Sequence, residues 1–134
     1  MKETIIVAGK NKVGVCRLRH CLKENGYDSI PCGSAEQIVE EMEILPTCDA
    51  GILLVVIGPE ILEDIGYDLI SKLSNFAPDV PFLLSDAERT RADSTRTFEK
   101  ICKYRTRFRQ EQNPRLAKAL MDSGVEAVCS RENH

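Results

Sequence analysis

The chain has 134 residues, 43% of them hydrophobic and 29% charged, with a formal net charge of −3. That length supports one domain with a proper core, and no apolar run approaches the roughly 20 residues that a membrane span needs. The charge is uneven: Asp86 to Lys118 holds ten Lys and Arg against five Asp and Glu, the rest of the chain eight against sixteen. A chain that is acidic overall with one basic segment is not a general binder of nucleic acid.

The opening Met1-Lys-Glu-Thr-Ile-Ile-Val-Ala8 enters a strand at once. It has neither the length nor the cleavage site of a signal peptide, so a cytoplasmic location is expected. Six cysteines, Cys16, Cys21, Cys32, Cys48, Cys102 and Cys129, contain no C-x-x-C spacing. Without a secretion signal they read as reduced thiols, several of them packed as small hydrophobes.

Thr4–Ala8 reads as the first buried strand. Asn11 is placed to cap a helix from Val13 to Asn25, with Val15, Leu18 and Leu22 on one stripe and Gly26 as its stop. Asp28–Cys32 is a short second strand, and Pro31 puts it at a sheet edge. Ser34-Ala-Glu-Gln37 has the form of a capping box and opens a helix through Leu45. The stretch Asp49-Ala-Gly-Ile-Leu-Leu-Val-Val-Ile-Gly-Pro59 is the most apolar in the chain, and suits a strand buried on both faces. A helical pattern from Glu60 to Phe76, interrupted at Gly66, leads to a fourth strand at Val80–Leu84.

The βαβαβαβ order with short connections implies a parallel sheet covered on both faces. The regularity then breaks. Ala92 to Gln110 predicts a helix with Phe98, Ile101, Cys102, Arg105 and Phe108 along one face. Asn113-Pro114 starts another helix to Ser123, and Val125–Cys129 reads as a fifth strand with no helix after it. That arrangement leaves a sheet face bare near strands one and five. The helix at 92–110 or a second copy of the chain would cover it, and a homodimer is the expectation.

The segment Asp64-Ile-Gly-Tyr-Asp-Leu-Ile-Ser-Lys-Leu-Ser-Asn-Phe-Ala-Pro-Asp-Val-Pro-Phe-Leu-Leu-Ser85 resembles the third helix, Pro-containing loop and fourth strand of response-regulator receiver domains. Leu120-Met-Asp-Ser-Gly-Val-Glu-Ala-Val-Cys129 is similar to their small-residue helix end and fifth strand. The resemblance covers residues 3–85 and 115–131. It implies a flavodoxin-like three-layer α/β sandwich, a five-stranded parallel sheet of order 2-1-3-4-5, in a single domain over 1–134 with a basic helical insertion at about 88–112.

The resemblance places the phosphoacceptor four residues before Pro59, where Val55 stands, and the metal-holding acids after strand one, where Ala8-Gly9-Lys10 stand. Valine supplies neither a nucleophile nor a metal ligand. Ser85 falls near the family's switch hydroxyl and Arg131 matches its lysine. The expectation is therefore a phosphorylation-incompetent, receiver-like signalling module, not an enzyme, that binds a protein partner and needs no cofactor or metal.

Other constellations compete with plainer readings. Lys10, Lys12, Ser85 and Arg131 form a candidate anion or nucleotide pocket at the strand carboxyl ends. Gly9-Lys-Asn-Lys-Val-Gly14 has phosphate-loop glycine spacing, but Val15-Cys16 replaces the Lys-Ser/Thr that holds phosphate and magnesium, so an ordinary strand-to-helix turn is favoured. Cys16, His20 and Cys21 are too few for a structural zinc. Lys103, Tyr104, Arg105, Arg107, Phe108 and Arg109 interleave charge and aromatic rings. They are a candidate interaction surface, with nucleic acid as the less favoured partner and a solvated amphipathic helix as the plain alternative.

Overall fold

Four parallel strands make the sheet: β1 (Lys2–Ala8), β2 (Asp28–Cys32), β3 (Ala50–Ile57) and β4 (Phe82–Leu84), in the order β2-β1-β3-β4. The computed structural model describes residues 2–48, 50–85 and 92–123. The expected fifth strand at 125–129 lies outside the described residues, so the sheet is four-stranded among those described. β1 and β3 are central, which explains their composition: Ile5, Ile6, Leu54, Val55 and Ile57 are wholly buried. Pro31 sits on the edge strand, where its missing N–H costs no ladder bond. β1 and β3 slip register between Thr4 and Ile5, pairing them with Ile52 and Leu54, so Leu53 is the extra residue of a bulge.

Right-handed crossovers in this strand order put the helix after β1 on one face and those after β2 and β3 on the other. α1 (Lys12–Glu24) starts at Asn11, whose Oδ1 accepts from the N–H groups of Val13 (3.1 Å) and Gly14 (3.2 Å). It ends through Gly26, at φ +87°, a conformation that favours glycine. α2 (Ala35–Ile44) is capped by Ser34 Oγ, which accepts from Gln37 N–H at 3.2 Å, while Gln37 reaches back to Gly33 N–H. The expected helix from Glu60 to Phe76 divides into a 3-10 turn at Pro59–Leu62 and α3 (Tyr67–Asn75), with Gly66 at the junction.

The helix expected over 92–110 stops at Cys102, giving α4 (Ala92–Cys102). Thr106 N–H donates to Pro78 O at 2.9 Å instead of continuing the helical ladder. The chain then runs without helix to a 3-10 turn at Gln110–Gln112 and into α5 (Pro114–Asp122). α4 packs on α3, and α5 packs on α1.

α5 corrects the expectation of a bare face. Leu116, Ala117, Ala119 and Leu120 enter the core from it, and two buried leucines alone contribute about 3–6 kcal/mol of transfer free energy. Its direction also departs from simple alternation. Its start lies by the end of α1, where Arg115 sits over the Tyr27 ring at 5.7 Å, and Ser123, just past its end, borders the same cleft as Asn11. α5 therefore runs antiparallel to α1, in the sense of the strands.

Candidate functional site

The strand order reverses between β1 and β3, and at such a switch point the diverging connections leave a crevice at the carboxyl edge. A cleft of about 250 Å³ opens there, bordered by Ala8 and Val56 from the strands, Gly9 just past β1, Asn11 and Arg17 from the cap and first turns of α1, and Glu60, Ser85 and Ser123. Its backbone donors are largely committed. Gly58 N–H donates to Ala8 O (2.7 Å), Gly9 N–H to Cys32 O (3.0 Å) and Ser85 N–H to Ile57 O (2.9 Å). The first amides of α1 are held by Asn11, so the Gly9–Gly14 stretch is a capped strand-to-helix turn.

The expected site residues are only partly brought together. Ser85 borders the cleft, with its Oγ donating to Ile57 O at 3.3 Å. Lys10 and Lys12 are exposed and do not line it. Arg131 lies outside the described residues. Val55 is sealed in the core beside Ile6 and Phe82, and the neighbouring Val56 is the β3 residue that lines the cleft. Sequence reasoning missed Arg17 and Glu60. A Cβ on Gly58 would stand 3.0 Å from Glu60 Oε2, so the carboxylate lies against the backbone there. The acidic first turn after Gly58-Pro59 was the available signal.

The basic stretch splits by burial. Tyr104 is 83% exposed, and Lys103, Arg107 and Arg109 are also on the surface. Arg105 and Phe108 are buried, which corrects their inclusion in a surface patch. Arg105 Nη1 donates to the carbonyls of Ala77 (2.6 Å) and Val80 (2.8 Å), and Nη2 to those of Phe76 (2.7 Å) and Leu73. Burial lowers its pKa, partly opposed by Cys102 and Asp79. Four acceptors lie in one place because α3 ends there, and helix ends leave carbonyls unpaired.

Among the cysteines, burial pushes the Cys32 thiol up to about 11, with Glu41 and Glu40 adding to the shift. His20 pairs with Glu24 on its own helix, and among the described residues no group of three or more metal-binding side chains occurs. No described helix is long and apolar enough to cross a membrane.

The arrangement matches a solved signal receiver domain of an HD domain-containing protein from Pseudomonas fluorescens Pf-5. The TM-score is 0.58 at 16% identity, over 92% of this chain and 98% of that one. The fold is receiver-like. A chain carrying a yeast Spc42 trimeric coiled-coil segment fused to another protein matches at TM-score 0.56 and 15% identity, over 92% of this chain and 80% of that one. No protein-family model and no curated protein matches the sequence.

Proposed function

We propose that the chain is a receiver-like signalling module that takes no phosphoryl group and acts through protein contacts. The observation that carries this reading is the composition of the switch-point cleft. Strands β1 and β3 and the residues just past them bring Ala8, Gly9, Val56 and Gly58 to it, and no acid. Phosphoryl transfer to a carboxylate needs a nucleophile, and a cation held by further acids to neutralise the equatorial oxygens. Glu60 is the one carboxylate bordering the cleft among the described residues. Incubation with acetyl phosphate and magnesium, followed by intact-mass measurement, tests the reading. No hydroxylamine-sensitive phosphoryl adduct is expected; an adduct on Glu60 or any aspartate overturns it.

A second reading is favoured by the cleft itself. Its size and mixed lining, with Arg17, Glu60, Ser85 and Ser123, suit a small polar ligand. Of the expected anion set Lys10, Lys12, Ser85 and Arg131, Ser85 alone borders the cleft among the described residues. Thermal shift against nucleotides and inorganic phosphate checks it: a rise in Tm that R17Q abolishes supports it, and no shift with any compound removes it.

A further inference from the structure

The exposed residues of the 103–109 segment have a counterpart elsewhere on the molecule. Tyr104 is 83% exposed beside Lys103, whose Nζ lies 5.3 Å from the ring centre, and Arg109 is exposed further along. α2 carries Glu36, Glu40, Glu41 and Glu43 and no basic residue. None of the four pairs with a basic group among the described residues. Next to Glu40 and Glu43 in the same helix end stands Ile44, 51% exposed. One patch is thus an aromatic with a cation beside its ring and a second cation five residues on, the other an aliphatic flanked by carboxylates.

Their placement matters as much as their charge. α2 ends at Ile44 just before the turn into β3, at the amino edge of the sheet. The start of the 103–109 segment is fixed at that edge too, because Arg105 is plugged into the end of α3 and Thr106 is bonded to Pro78. By crossover hand and by packing, α2, α3 and α4 form one layer, with α3 touching both of the others.

We infer that a second copy of this chain docks on that layer, with Tyr104 of each copy against Ile44 of the other and Lys103 and Arg109 facing Glu40 and Glu43. Two complementary patches at one edge of the sheet can be satisfied together by a two-fold axis, which closes a dimer. Apolar anchors ringed by opposite charges supply the contact; the charges set orientation and salt dependence. The contact differs from the bare-face dimer expected from sequence, because α5 occupies that face.

Sedimentation of the full chain at up to about 1 mM protein, where even weak pairs associate, tests this. At low salt the mass should rise from 15.0 kDa and level off at twice that value. At about 0.5 M salt, where screening is strong, the mass should fall back. K103Q/R109Q and E40Q/E43Q, all at exposed positions, should each remain monomeric with an unchanged far-UV spectrum and Tm. Mixed one to one they should regain part of the association, because the mixture restores one of the two contacts. A wild type that stays monomeric, variants that still dimerise, or a mixture that does not recover would each overturn the inference. The readout is mass alone and no phosphoryl chemistry enters it, so it can fail while the non-phosphorylated reading stands, and the reverse.

Discussion

The Arg105 guanidinium carbon lies 4.0 Å from the centre of the Phe82 ring, and the same group holds four carbonyls around the end of α3. Burying a cation costs several kcal/mol. Charge-assisted bonds at about 1.5–3 kcal/mol each, with smaller ring and helix-dipole contributions, exceed that cost even though Nε lacks a partner. One side chain thereby joins α3, the strand entry at Val80 and the chain leaving α4.

Removing that group should be among the most damaging single changes available. R105A leaves buried carbonyls without donors and should cost about 3–5 kcal/mol in urea unfolding. R105K keeps the charge but cannot reach four acceptors with a planar fork, and should fall between Ala and wild type. Equal stability of all three proteins would show that the plug contributes nothing.

Ala77 is held at φ +44°, in the left-handed region where a side chain is strained. Its carbonyl accepts from Arg105, so the turn aims an acceptor at the cost of backbone energy. A77G should stabilise the protein by about 0.5–1 kcal/mol net of the extra chain entropy. A lower unfolding midpoint in A77G would contradict the strain assignment.

Cys32 makes a pH prediction. Its folded-state pKa of about 11 lies above the ordinary 9.0, so the folded state binds the proton more tightly than the unfolded chain. Stability from this thiol is fully present below about pH 9 and is lost as pH rises toward 11, by up to about 2–3 kcal/mol. Other groups titrate in that window, so the measurement is the difference between wild type and C32A, whose slope should be shallower. Maleimide labelling at pH 8 should modify the exposed Cys16 and Cys48 well before Cys32.

Local rules in the sequence were read correctly where the chain makes its own local contacts. Asn11 and Ser34 cap the helices expected of them, Gly26 turns the chain out of α1, and Pro31 stands on an edge strand. Periodicity failed at Arg105 and Phe108. Both keep the spacing of a helical stripe from Phe98, yet neither is helical, because the donor that would extend the helix is taken by Pro78 O, distant in sequence. Nothing near Arg17 in sequence marks a cleft, and the acidic turn at Glu60 marks one only once the approach of α1 to the end of β3 is known.

The sequence by itself determined the class of the protein: alternating apolar runs and amphipathic stretches, punctuated by caps and turn residues, that admit a parallel α/β sheet. It also determined that Ala8-Gly9 and the Val55-Val56 pair bring no acid to the strand ends. Tertiary structure decided which lysines and arginines reach a site, which one is buried as a plug, and that α5 covers the flank beside α1. The physical reason is range. Capping and alternation act within a few residues and leave a mark in the local sequence, whereas a buried guanidinium or a covered sheet face depends on contacts between segments 25 residues or more apart.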